Sequence, residues 1–193
     1  MARADWCTGL LCLTTWALTA CGASSSGSRG ANDAHSSIAR EQGASTTAVV
    51  EQPPDFELDA ITGDSVRLGE LVGKHVILLD FWATYCDPCL QAMPHLQKTY
   101  AQYREQGFVV LGISIDGPES VAHVRSTVAK LGVEFPILLD SESRVVALYN
   151  PRTSAPYSVL IGRDGRILTR QEGFTTGNAA AMEDAIRRAV GGE

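Results

Sequence analysis

Cys86-Asp87-Pro88-Cys89 sets two thiols within bridging range, provided that the backbone between them turns sharply. The start of a helix supplies such a turn. There the unpaired backbone N–H groups and the helix dipole favour a thiolate, the form that attacks disulfides, at the first cysteine. Cys86 would form a mixed disulfide with a substrate. Cys89, one turn deeper, would then attack Cys86 and release reduced product. Three blander readings compete. A structural bridge closing so short a loop constrains the unfolded chain little. A zinc half-site needs a second Cys or His pair at ligand spacing, and His35, His75, His95 and His123 form none, so no metal is expected. Two buried cysteines close by coincidence fit poorly with the strand–turn–helix pattern around them.

The elements that must hold this pair are legible around it. His75–Trp82 contains Val76-Ile77-Leu78-Leu79, a continuous apolar run suited to a central strand covered on both faces. Pro88 to about Gln106 reads as a helix, with Pro88 tolerated in its first turn and Pro94 inside it, where a missing donor should kink it. Short extended pieces precede it at Phe56–Leu58 and Ser65–Leu68. Phe108–Ile115 and Pro136–Leu139 are β-rich runs, and Glu119–Leu131 is a helix closed by Gly132. A short helix at Arg144–Tyr149 leads to a hairpin, Tyr157–Ile161 with Arg166–Arg170, around an Asp164-Gly165 turn. Thr176–Val190 closes the chain as a helix. Alternating strands and helices followed by a hairpin argue for an α/β fold with a central mixed sheet flanked by helices.

The chain has 193 residues, enough for one domain, and a formal net charge of −6. With no Lys/Arg cluster, nucleic acid is excluded as a partner. Five cysteines is an odd count, and three of them precede the folded part. Cys7 and Cys12 lie in a start whose apolar stretch, Leu10–Leu18, is too short to span a bilayer, so residues 1–20 read as a signal peptide. Leu18-Thr19-Ala20-Cys21 resembles a bacterial lipobox, which implies cleavage before Cys21 and lipidation there. Residues 21–52, rich in Ser, Ala and Gly, read as a flexible lipid-anchored linker reaching about 30 Å as a coil, and 53–193 as the folded domain.

Pro54-Asp55-Phe56, then Phe81-Trp82-Ala83-Thr84 before the cysteines, Pro94 in the following helix, and Ala155-Pro156-Tyr157-Ser158-Val159-Leu160-Ile161 before an Asp-Gly turn form an ordered set. In that order, from Pro53 to Val190, they resemble the thioredoxin-like superfamily, closest to its extracytoplasmic branch typified by TlpA and ResA. The resemblance implies a thioredoxin-like fold, a cis Pro156 facing the redox pair, and substrate contacts from Trp82, Tyr85, Pro88 and Ala155. The Ala155 backbone would pair with an extended substrate segment as an added strand.

Departures from the family pattern tune this expectation. Tyr85 stands where Trp is usual and keeps an aromatic wall beside the site. Asp87 should disfavour the Cys86 thiolate and push the pair toward reduction. Ala92 replaces the Glu that many relatives carry. Asp80, where thioredoxins have a buried acid, is expected to have a raised pKa and to accept the Cys89 proton as general base, while Gly112 takes the place of a usual Lys neighbour.

These residues together imply an enzyme without cofactor, a lipoprotein held at the membrane on the periplasmic side by its lipid anchor. It would reduce protein disulfides, the resemblance allowing apocytochrome c cysteines or general periplasmic repair as substrate classes, with a membrane thiol-transfer protein as electron donor. Two alternatives stay open on the sequence. A peroxiredoxin-type thiol peroxidase shares the Pro54-Asp55-Phe56 leader, although Ala83 stands where such enzymes place Thr. A copper-binding assembly factor resembling Sco would use two thiolates, although its cysteine spacing and distal His are not evident.

Overall fold

A computed structural model describes residues 51–192. The signal peptide, the Cys21 lipidation site and the linker up to residue 50 lie outside the described residues. Seven strands and four helices run in the order β1 (Glu57–Asp59), β2 (Ser65–Arg67), β3 (Val76–Trp82), α1 (Asp87–Tyr103), β4 (Phe108–Ser114), α2 (Val121–Leu131), β5 (Ile137–Leu139), α3 (Arg144–Tyr149), β6 (Tyr157–Ile161), β7 (Ile167–Glu172) and α4 (Thr176–Gly191).

Five of the strands make one sheet in the order β5-β4-β3-β6-β7. β3 runs parallel to β4 and antiparallel to β6, so the sheet is mixed, as the strand–helix pattern followed by a hairpin requires. β1 and β2 form a separate hairpin that touches the β5 edge through an Ala60–Leu138 bridge. Every residue of β3 is buried, which is why its sequence is a continuous apolar run rather than an alternating one. Successive side chains still point to opposite faces. Val76, Leu78 and Trp82 join the core shared with the two cysteines, Met93 and Met182, under α1 and α4. Ile77, Leu79 and Phe81 join a second core with Phe56, Leu68 and Tyr149. By the same alternation Asp80 lies on the α1 and α4 face.

The elements match the sequence expectation with small shifts at their ends. The helix expected from Glu119 opens as a 3-10 turn at Pro118–Ser120, where Pro118 takes its first position and no side chain caps the backbone. The hairpin strand expected over Arg166–Arg170 runs to Glu172, and Gly165 at its turn has φ 81°, a conformation that suits glycine. α1 passes through Pro94 without ending. The domain was expected to begin at Pro53. Glu51 is already fastened, with its carbonyl accepting from Ile167 N–H at 3.1 Å and its carboxylate paired with Arg170. Among the described residues no helix is long and apolar enough to cross a membrane.

Gly112 lies directly opposite Asp80 across β3 and β4. A Cβ there would come within 2.7 Å of Ile137 Cδ1 and 2.9 Å of Phe135 Cε2, so any side chain at this place would make those two neighbours shift. Gly112→Ala should lower stability by about 1–3 kcal/mol in chemical denaturation. Ile137→Val in the same chain should recover part of that loss by deleting the opposing methyl. An unchanged midpoint for Gly112→Ala would refute this packing account.

Candidate active site

Cys86 and Cys89 are joined in a disulfide with their Cα atoms 5.3 Å apart. Cys86 is the N-cap of α1, and its Sγ accepts from Cys89 N–H at 3.3 Å. Pro88 comes next in the first turn, where its missing N–H costs the helix nothing. The two sulfurs are thus placed where the free N–H groups of a helix start converge. Their exposures differ: Cys86 keeps 9% of its surface and Cys89 1%. An incoming disulfide therefore meets Cys86 first.

The loop ahead of Cys86 is tied at two points. Cys86 N–H donates to the Ala83 carbonyl at 3.1 Å. Thr84 N–H donates to both oxygens of Asp116, at 3.0 and 3.2 Å, and the Thr84 hydroxyl donates to one of them at 2.5 Å. Ser114 Oγ donates to Asp116 at 2.8 Å, so this buried carboxylate is fully occupied in holding the loop. Asp116 follows directly on the β-rich run Phe108–Ile115. Nothing in local spacing could have linked it to Thr84, because the two meet only through the β3–β4 pairing.

On the facing side the Ala155–Pro156 peptide is cis. Ala155 packs against the core cluster that contains both cysteines, and the Pro156 carbonyl accepts from Gly173 N–H at 2.8 Å. Buried Asn150 steadies this loop by donating to the Ser154 carbonyl and hydroxyl. Tyr85 and Pro88 are exposed beside Cys86, Tyr85 at 74%. Trp82, grouped with them as a substrate contact, has no exposed surface. It ends β3 on the face covered by α1 and supports the site from beneath, because a strand residue on that face cannot reach solvent. Asp87 is exposed in the first turn of α1.

Asp80 is 3% exposed. Ser158, its direct partner across β3 and β6, donates from Oγ to Asp80 Oδ1 at 2.8 Å. Burial raises the carboxyl from its ordinary 3.8 to about 7, and the Ser158 hydrogen bond opposes that rise only in part. Among the described residues no cation forms an ion pair with it, and the β4 partner is Gly112. A cleft between α1 and α4 is lined by Asp80, Ala92, Pro156 and Ser158, and Lys98 lines it without an ion pair among the described residues. Ser158 is a further residue that sequence reasoning passed over, for its meaning depends on strand register. Among the described residues no three His, Cys, Asp or Glu side chains converge to hold a metal ion.

A carboxyl whose folded pKa lies above its unfolded value stabilises the fold least when it must ionise. Relative to Asp80→Asn, the oxidised protein should lose on the order of 4 kcal/mol as pH rises from about 4 to about 7, then no more. Denaturation of both proteins across that range checks this, and a constant difference would contradict it.

Comparison with known proteins agrees with this geometry. The AhpC/TSA family model matches residues 49–170. The thiol–disulfide oxidoreductase ResA of Halalkalibacterium halodurans is 38% identical over 126 residues, spanning 65% of this chain and 69% of that protein. ResA of Bacillus thuringiensis is 31% identical over the same length, 65% of this chain and 70% of its own. Among solved structures, a candidate thiol:disulfide interchange protein DsbE from Chlorobium tepidum superposes with a TM-score of 0.67 at 32% identity. The match covers 73% of this chain and 96% of that one. The chain belongs to the AhpC/TSA family of thioredoxin-like proteins, and it is a thiol–disulfide oxidoreductase similar to ResA.

Proposed function

We propose that this oxidoreductase works outside the cytoplasm, anchored by a lipid on Cys21, as a reductant of protein disulfides. The observation that carries the reading is the bridged Cys86–Cys89 pair, unequally buried at the start of α1 with a neutral-leaning carboxyl beneath it. Reduced Cys86 attacks a substrate disulfide, forming the bond Cys86–substrate and releasing one substrate thiolate. Cys89 then gives its proton to Asp80 and attacks Cys86 Sγ. The mixed disulfide breaks, the second substrate sulfur leaves as thiolate and takes a proton, and the enzyme ends oxidised. Two electrons have moved from the dithiol to the substrate.

The electrons must be restored from outside the domain, since Cys86 and Cys89 are the only cysteines after Cys21. A membrane thiol-transfer protein suits that task. Substrates would lie along the Ala155 backbone, with Tyr85 and Pro88 as neighbouring contacts. Reading backbone more than side chains suits a tolerant range that includes apocytochrome c cysteines.

The reductive direction is supported by what surrounds Cys86. An oxidising pair needs a strongly stabilised thiolate, and Asp87 adds a negative charge at the same helix start. The reduction potential should fall below about −200 mV, and a value near −120 mV would reverse the direction. Cys89→Ser expressed in cells should accumulate mixed disulfides through Cys86, which disappear in the Cys86→Ser, Cys89→Ser double variant. Failure to trap any partner under both reducing and oxidising growth would count against the relay.

A further inference from the structure

Ala155 is half-buried against the core cluster that holds both cysteines. Among the described residues, neither its N–H nor its carbonyl has a hydrogen-bond partner. The loop on either side is engaged. The Asn150 carbonyl accepts from Thr153 N–H at 2.8 Å, and the Pro156 carbonyl accepts from Gly173 N–H at 2.8 Å. The two free groups of Ala155 are therefore a short open edge of the kind that an extended peptide completes.

The direction of that edge is set by Asn150, a side chain with only 5% of its surface exposed. Its Nδ2 donates to the Ser154 carbonyl at 3.2 Å and to Ser154 Oγ at 2.9 Å, while its Oδ1 accepts from Arg152 N–H at 3.1 Å. The Ser154–Ala155 peptide is trans, so the Ser154 carbonyl and the Ala155 N–H point in opposite directions from one rigid plane. Drawing the carbonyl toward Asn150 turns the N–H away from it. Glu172 adds an outer tie, accepting from the Arg152 guanidinium and the Ser154 hydroxyl. That ion pair is largely exposed, and such pairs hold little.

A second observation concerns the loop's shape. Thr153 has φ 49°, in the left-handed region that a β-branched residue rarely enters. Backbone in such a conformation persists where its surroundings over-determine it. Here the Thr153 N–H ends on the carbonyl of the same asparagine whose side chain grips Ser154.

We propose that Asn150 is a positioning residue for substrate: by holding the Ser154 carbonyl it aims the Ala155 N–H, and so favours disulfides that carry an extended backbone. The inference rests on the reading that substrates pair with the Ala155 backbone.

The probe is a short extended peptide whose one cysteine is disulfide-bonded to an aromatic thiol that absorbs visible light once released. Reduced Cys86 bonds to the peptide sulfur, the original disulfide breaks, and the aromatic thiolate leaves. A second peptide of the same sequence is N-methylated on both sides of the cysteine, which blocks strand pairing. The symmetric aromatic disulfide has no backbone to pair. Wild-type protein should react about tenfold faster with the plain peptide than with the methylated one, the scale of one or two net hydrogen bonds. Asn150→Ala should bring that ratio to about twofold or less, the loss lying in the half-saturating peptide concentration and not in the limiting rate. Asn150→Asp keeps the acceptor for Arg152 N–H but cannot donate to the Ser154 carbonyl. It should lose the ratio as well, and it serves if Asn150→Ala fails to fold. Variants that keep the wild-type ratio overturn the assignment while the backbone reading stands. Variants that slow the symmetric disulfide as much as the plain peptide overturn it too, since that is general loosening of the site. If wild-type protein does not distinguish the two peptides, the backbone reading fails and the role of Asn150 falls with it.

Discussion

Asp80 sits between Leu78 and Trp82 on a strand with no exposed residue, and among the described residues its carboxyl has one hydroxyl partner and no ion pair. Ionising such a group in an apolar core is costly, so burial itself raises its proton affinity into the range where biological thiols exchange protons. The surrounding arrangement answers to that constraint. Gly112 on one side is crowded by Ile137 and Phe135, so a longer, cationic side chain there would have to displace both. Ser158 on the other side supplies a single donor, enough to orient the group without neutralising the effect of burial.

The two cysteines differ because α1 begins between them, with Cys86 at its N-cap and Cys89 inside its first turn. Cys86 caps the helix and keeps some surface, while Cys89 is turned into the core. That inequality needs a steady loop, and Asp116 provides it from the neighbouring strand end by accepting the Thr84 N–H and hydroxyl. The facing loop is steadied in the same manner by Asn150. Both supports are buried polar side chains with their hydrogen bonds satisfied, which gives rigidity that apolar packing alone would not direct. Two loops from distant parts of the chain thereby face one reacting sulfur.

Similarity to ResA and to the Chlorobium tepidum structure accords with this chemistry. At the surface beside the site stand Tyr85 and Pro88. The site combines a helix start that carries both cysteines, a buried acid on the central strand and a cis peptide in the loop before β6.

The sequence by itself determined the redox pair and most of the frame around it. Cys86-Asp87-Pro88-Cys89 is local, and a helix start is a local event, so spacing and Pro88 sufficed. The apolar run before Asp80 marked a central strand, and Asp164-Gly165 marked a hairpin, because both signals reside in neighbouring residues. The burial of Asp80 was legible for the same reason. Only the tertiary structure decided which groups meet across strands. Ser158 reaches Asp80 through β3–β6 register, and Asp116 reaches Thr84 from the end of β4. Register also buried Trp82, which motif position alone had put at the substrate face. The cleft beside Ala92 exists only when α4, far along the chain, packs across α1. Local patterns reveal what each segment can become, whereas contacts between distant segments depend on how the assembled faces fit.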